Sequence, residues 1–148
     1  MVIERNPVVE GELGWEELEE FKEDIPGFLP ASATAWLGSF FERVKVIYAF
    51  QILNAVESDA DWEIVSAVKA AIWEQVGGVL QADAEGFSNE SGAHILWQFS
   101  ADVAGDYTMA VLQDGSWVTF VMQLDNAAQR AAFLLGQVPD SAQLLEQQ

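Results

Sequence analysis

The sequence predicts an α+β fold: a twisted, mostly antiparallel sheet of about five strands, with two main helices on one face and a short acidic N-terminal helix. Three observations support this prediction. The chain has 148 residues, of which 51% are hydrophobic and 11% aromatic, so it has enough apolar material for a packed core. Segments with strand and helix periodicity follow one another along the chain. There are no cysteines, so this core forms without disulfides.

The first predicted helix covers Gly14–Asp24, after twelve residues that are read as irregular. Trp15, Leu18 and Phe21 recur at intervals of three residues, while glutamates fill most of the remaining positions. Pro26 and Gly27 end the pattern. The segment is therefore predicted to be a short amphipathic helix with one strongly acidic side.

The middle and the end of the chain alternate between the two periodicities. Val46, Tyr48 and Phe50 would lie on one face of a strand. Val65, Val68, Ile72 and Val76 form the inward stripe of the clearest helix, which two glycines end. We therefore predict a short helix after Ser32, strands at Val44–Leu53, Val79–Asp83 and Ala93–Phe99, and helices at Asp61–Val76 and Ala127–Leu135.

Asp114-Gly115 is the strongest turn signal in the chain, because this dipeptide is typical of two-residue hairpins. The hairpin joins strands Tyr107–Gln113 and Ser116–Leu124. A two-residue turn pairs Gln113 with Ser116, and counting outward then fixes which side chains share a face. The register places Val111 opposite Val118, Met109 opposite Phe120 and Tyr107 opposite Met122, on a uniformly apolar face.

The opposite face of this predicted sheet is more apolar than a fully solvated face should be. It carries Leu112, Trp117 and Val121 from the hairpin and Leu96 from the preceding strand, beside polar residues. Something should therefore cover part of it. Trp117 is the tryptophan predicted to lie at an interface, because tryptophan contributes a large contact area.

The apolar stripe of the N-terminal helix also needs a contact surface. Trp15, Leu18 and Phe21 either pack on the same domain or bind in a groove of a partner. By composition the chain divides into an acidic segment, residues 1–30, and an α+β domain, residues 31–148. The first part alone contains nine acidic and two basic residues.

The formal net charge is −18, from 24 acidic and 6 basic residues. Since the six basic residues are scattered, binding to nucleic acid and to anionic membranes is disfavoured. A partner attracted by charge would be basic. Solubility is the simpler explanation of the same charge. The start of the chain has no signal-peptide pattern and no segment suits a membrane span, so a cytoplasmic location is expected.

Catalytic motifs are weak throughout. His94 is the one histidine, so a serine triad could be built only around it, and a surface or edge position is the simpler explanation. Asp59 and Asp61 resemble the start of a calcium loop, but the spacing fails later and a helix start explains them better. Neither a Walker motif nor a dinucleotide fingerprint is present, so no cofactor and no metal are predicted.

The sequence therefore favours a non-enzymatic, acidic protein-interaction or chaperone-like module, similar in composition and size to small secretion-type chaperones. Its partner would be a basic protein or a second copy of the chain, as in a homodimer. Two alternatives stay open. One is a small hydrolase or ligand-binding enzyme with paired carboxylates among Asp83, Glu85, Asp102 and Asp106. The other is an acidic mimic of nucleic acid. The residues predicted to bind the partner are Trp117, Leu112, Val121, Leu96, Trp15, Leu18 and Phe21.

Overall fold

The computed structural model describes residues 2–51, 58–82 and 86–145. It confirms an α+β fold, which combines α-helices with antiparallel pairs of strands. The chain forms two units by contact. Unit 1 comprises Met1–Asp24 and Phe40–Gly78, and unit 2 comprises Ile25–Ser39 and Val79–Gln148. The predicted division at residue 30 stays a prediction.

As far as the structure describes it, unit 1 contains a pair of antiparallel strands and two complete α-helices. Strand β1 (Val2–Pro7) pairs antiparallel with β2 (Val46–Gln51), and the helices are α1 (Leu13–Asp24) and α3 (Asp59–Val76). Helix α2 (Ala31–Phe41) begins in unit 2 and ends in unit 1.

The first twelve residues are not irregular, as the sequence predicted, because Val2–Pro7 forms β1. The partner strand β2 lies some forty residues further along the chain, so local patterns could not reveal the pairing. Within unit 1, the backbone N–H of Val8 also donates to the Lys45 carbonyl, at 2.8 Å.

Helix α3 begins with a capping box between Ser58 and Asp61 and ends at Gly77. The predicted inward stripe is correct at Val65, which is 4% exposed. It is wrong at Val76, which is 55% exposed, because this residue is the last of the helix.

Unit 2 contains the remaining strands and most of the buried side chains. Its elements after α2 are β3 (Leu80–Ala82), β4 (Gly86–Ser88), β5 (Asp106–Gln113), β6 (Ser116–Gln123), α4 (Ala127–Leu134) and β7 (Gln143–Leu144). The described strands of the two units form three separate ladders, with orders β1-β2, β3-β4 and β5-β6-β7, where the sequence predicted one sheet of about five strands.

The hairpin register predicted from Asp114-Gly115 is confirmed. Val111 pairs with Val118, Met109 with Phe120 and Tyr107 with Met122. Both turn residues have positive φ, +52° at Asp114 and +80° at Gly115, as a type I′ turn requires. The apolar face of the hairpin is the centre of a core whose buried members are Met109, Val111, Phe120, Met122, Leu124 and Phe133.

The predicted strand Ala93–Phe99 is wrong. Its backbone hydrogen bonds go to several neighbours: His94 bonds with β5, Ile95 donates to Phe87, and Trp97 donates to Leu29. Ile95 and Leu96 are both fully buried, although a strand with one exposed face would expose one of them. The segment is enclosed by neighbours on both sides, which removes the alternation that the sequence pattern assumed.

Candidate protein-interaction surfaces

The Trp117 face of the hairpin is partly covered by the chain itself. Leu112, Trp117 and Val121 are half-buried, and the first two are register partners. The Trp36 ring of α2 packs edge-on against Trp117, with centroids 5.1 Å apart and planes at 76°. Such an edge-to-face pair adds stabilisation beyond the buried area alone. A partner is therefore not required to shield Trp117 from water.

Two of the predicted binding residues are inside the protein. Leu96 has no exposed surface, and Leu18 is 3% exposed. Both were assigned to a surface because an alternating or helical pattern shows which side chains share a face and not which face is open. A partner reaches neither side chain in this structure, so both belong to the core.

The apolar stripe of α1 packs on its own unit. The Phe21 ring stacks on Phe41, with centroids 6.3 Å apart, and Trp15 is half-buried. Gly14 brings the start of α1 against β1, where a Cβ atom would lie 2.6 Å from the carbonyl oxygens of Asn6 and Pro7. The intramolecular alternative for this stripe is thus the one that the contacts support.

The outer side of α1 is acidic and open. Glu16, Glu20, Glu23 and Asp24 are exposed, and Glu12 precedes them at an exposed position. At 100° per residue, these helical residues lie on the side opposite Leu18. The helix therefore presents a continuous carboxylate surface, here called the α1 acidic face and defined by Glu16, Glu17, Glu20, Glu23 and Asp24.

Repulsion within the α1 acidic face is visible at Glu17. Burial raises the pKa of the Glu17 carboxyl above its ordinary value, and the negative charges of Glu20 and Glu4 raise it further. The negative charges of Glu20 and Glu4 thus disfavour the ionised form of Glu17. A cation placed among them would relieve that repulsion.

Lys22 is the basic residue of α1, and it is already engaged. Its ammonium group lies 3.2 Å from a Glu19 oxygen and 3.5 Å from a Glu42 oxygen. The hydrogen bond with Glu19 raises the pKa of Lys22, and the charges of both glutamates act in the same direction. Lys22 thus pairs with Glu19 and Glu42, and no ion pair within the described ranges involves a carboxylate of the α1 acidic face.

His94 lies in an aromatic cluster. Its ring is 5.3 Å from Phe99 and 5.5 Å from Tyr107, centroid to centroid, and its Nδ1 is 3.4 Å from the Ser88 hydroxyl. A serine and a histidine at this distance suggest a nucleophile and its base. Ser88 is only 6% exposed, however, so an external substrate does not reach its hydroxyl. The pair is best explained as part of the packing between β4 and β5.

The carboxylates considered for catalysis do not form a described pair. Asp102 and Asp106 are exposed, while Asp83 and Glu85 lie outside the described residues. A cleft of about 320 Å³ in unit 2 includes Asp106, which is the one acidic side chain among the described residues that line it. Asp61 accepts hydrogen bonds from the Ser58 backbone and side chain, which is the helix-start role that the sequence favoured.

Sequence reasoning missed three residues that shape these surfaces: Gly14, Trp36 and Gln129. Gly14 was read as a helix start, although a glycine within the first turn also permits close backbone packing. Trp36 belongs to the short helix predicted after Ser32, but the pattern could not show which part of the chain this helix packs against. Gln129 is polar yet only 6% exposed, and a polar residue on a short helix gives no sequence signal of burial.

No protein-family model, curated protein or solved structure matches this chain. In the described part of the chain, no three histidine, aspartate or glutamate side chains come together as a metal site would need. None of the helices within the described ranges has the length and apolar character to span a membrane.

Proposed function

We propose that this protein is a non-enzymatic, acidic interaction module that binds a basic protein through the α1 acidic face. One observation carries the proposal: α1 packs Leu18 and Phe21 within unit 1 and exposes the glutamates on its opposite side. The helix is thereby held in place, and the charges on its outer side are free to meet a partner. A preformed charged surface of this kind favours fast and selective association.

The proposal includes the finer features that the sequence suggested. The acidic N-terminal segment, residues 1–30, supplies the binding helix, and residues 31–148 supply the supporting domain. A cytoplasmic setting and a chaperone-like role in holding a basic client belong to the same proposal. Self-association through the Trp117 face receives less support, because Trp36 already packs there.

The experiment compares two variants with the same change in net charge. In the first, Glu16→Gln, Glu20→Gln and Glu23→Gln neutralise three exposed acids of α1; in the second, Asp102→Asn, Asp125→Asn and Asp140→Asn neutralise three exposed acids of unit 2. Each protein and the wild type are used to capture partners from the native lysate at low and high salt. Captured proteins are identified and then titrated individually.

We expect a basic protein to bind the wild type and the unit 2 variant, and to bind the α1 variant about tenfold more weakly or worse. Binding should also weaken at high salt, because exposed charges are screened. Equal losses in both variants would show that only net charge matters. A partner that binds equally to all three proteins would refute the role of α1.

A further inference from the structure

The outer edge of β6 is occupied by a short piece of the chain's own C-terminal region. Leu144 and Gln143 of β7 pair with Phe120 and Val121 of β6. The backbone N–H of Leu145 donates to the Thr119 carbonyl at 2.9 Å. This edge therefore accepts an extended segment that runs antiparallel to β6.

The occupying segment buries little of itself. Leu144 is 62% exposed, Gln143 is exposed, and Leu145 is half-buried. Backbone hydrogen bonds hold the segment, but few apolar contacts offset the entropy that is lost when it is ordered. Segments with this character open locally far more often than a buried core does.

A cleft adjoins the same edge. It measures about 320 Å³ and lies along the end of β6, beside β7 and α4. Gln123 donates its backbone N–H to the Gln129 side chain at 2.7 Å, and Gln129 donates to the Ser141 hydroxyl at 2.9 Å. Gln129 thus accepts the Gln123 N–H beyond the last β6–β7 pair, at the end of β6 where the cleft lies. The residues that line the cleft include Asp106, Val121, Gln123 and Gln143.

The register shows which side chains of a strand at this edge point into the cleft. Asp106 is opposite Gln123, and Val121 is opposite Gln143. Successive side chains alternate between faces, so Asp106, Val121, Gln123 and Gln143 share one face. Asp106 and Gln143 lie on the two strands that flank β6, and both line the cleft, so a long cationic side chain at the Gln143 position would share the cleft with the Asp106 carboxylate.

We propose that the β6 edge and its cleft bind an extended segment of a partner protein, in place of Gln143–Leu145, with a lysine or arginine where Gln143 now lies. Main-chain pairing would supply affinity, as in other cases of strand addition. Asp106 would select the cationic side chain. The chain's own segment, Gln143–Leu145, competes with the partner for this edge. The partner can therefore bind only when that segment is displaced. The site is in unit 2 and does not depend on the role proposed for α1.

The test uses the full-length chain and a capped synthetic peptide, PDSAKLL, which copies residues 139–145 with lysine in place of Gln143. The matched peptide PDSAELL carries glutamate there. Leu145→Pro removes the N–H that donates to Thr119, whereas Leu144→Ala shortens an exposed side chain and keeps every backbone donor. Affinities are measured by fluorescence anisotropy, and the site is located by NMR.

PDSAKLL should bind the Leu145→Pro variant about tenfold more tightly than the wild type, because an internal competitor lowers apparent affinity. It should bind Leu144→Ala like the wild type. Asp106→Asn should weaken PDSAKLL about tenfold and leave PDSAELL no weaker than before. Amide shifts should centre on Thr119 to Gln123.

Three results would overturn the proposal: shifts that centre elsewhere, equal affinity for the two peptides, or a concentration-dependent wild-type dimer that Leu145→Pro abolishes. The last result would make a second copy the occupant. If Leu145→Pro does not fold, hydrogen exchange of the unaltered protein tests whether the segment Gln143–Leu145 can be displaced. The Leu145 amide should then exchange about a hundredfold faster than the β5 and β6 amides, and equal protection would refute a displaceable segment.

Discussion

The two units differ in how they are held together. Among the described residues, the buried hydrophobic side chains of unit 1 are Leu18, Phe41 and Val65. Unit 2 contains all the others, including Phe120 and the five side chains that form one core cluster with it. In unit 1, helix α3 instead exposes large apolar side chains, with Trp62 at 46% and Ile64 at 62% exposure.

This difference suggests that unit 2 provides most of the stability and that unit 1 provides a surface for contacts with other molecules. Apolar burial is the main stabilising contribution in folding, so unit 2 should determine most of the stability. A unit with few buried side chains and many exposed carboxylates gains less from packing, and its surface is suited to contacts with other molecules. The following variants test this contrast, in order of decreasing expected effect.

Phe120→Ala should have the largest effect. Phe120 is fully buried in unit 2, and its loss leaves a cavity beside Phe133, whose ring lies 6.4 Å away. We expect a loss of about 3–5 kcal/mol in the free energy of unfolding. Phe21→Ala, at a half-buried stacked ring of unit 1, is the matched control and should cost clearly less. Urea denaturation measures both, and equal losses would contradict the contrast between the units.

Gly14→Ala should destabilise unit 1 by overpacking, without creating a cavity. The added Cβ would lie 2.6 Å from two β1 carbonyl oxygens, so α1 must move away from β1. We expect a loss of about 1–3 kcal/mol, as for other overpacked sites. Gly27→Ala is the control, because nothing lies within 4 Å of its added Cβ. Hydrogen exchange should show the loss in α1 and β1, and unchanged protection there would contradict the contact.

Gly38→Ala should stabilise the protein. Gly38 lies within α2, its φ is not positive, and its added Cβ would meet nothing within 4 Å. Replacing a helical glycine by alanine without a clash gains about 0.5–1 kcal/mol. Thermal unfolding would show the gain as a higher midpoint. A lower midpoint would mean that α2 needs the glycine for a contact.

Glu17→Gln should have the smallest effect, and that effect depends on pH. The pKa of Glu17 is raised in the folded protein, so the folded state binds its proton more tightly than the unfolded chain. This group therefore reduces stability as the pH rises from the ordinary glutamate pKa through the raised one. Glu17→Gln removes the effect, so its stability should equal or exceed that of the wild type at neutral pH.

Urea midpoints from pH 4 to pH 7 would measure this difference for the wild type and Glu17→Gln. The two curves should separate as the pH rises, with the wild type falling below the variant. Glu63→Gln, at an exposed position on α3, is the control. Parallel curves for Glu17→Gln would show that neither burial nor the charges of Glu20 and Glu4 disfavour the ionised Glu17 carboxylate in the folded protein.

The elements predicted most accurately were those defined by neighbouring residues. The Asp114-Gly115 turn determined its register locally, because two-residue turns with positive φ at both positions strongly prefer this dipeptide. Ser58 and Asn126 cap the helices that follow them, and their side-chain bonds span three residues. In contrast, β1 was missed because its partner strand is distant in sequence. The predicted strand at Ala93–Phe99 failed because its backbone hydrogen bonds go to several different segments.

The candidate surfaces also divide into features set by neighbouring residues and features set by distant ones. The acidic outer side of α1 could be inferred from residue spacing alone, since the helical period groups its glutamates. How much of the Trp117 face is open to solvent could not be inferred in this way, because Trp36, which packs against it, lies some eighty residues earlier in the chain. The β6 edge and its cleft likewise depend on where β7 and Gln129 come to lie.

The amino-acid sequence by itself determined the α+β class, the charge of −18, the hairpin register and the amphipathic character of α1. These properties depend on composition or on interactions over a few residues. Only the tertiary structure decided which apolar faces are buried, that Leu18 and Leu96 belong to the core, and that β7 occupies the β6 edge. Burial depends on which distant segments meet, and periodicity groups side chains on a face without identifying the segment that covers it.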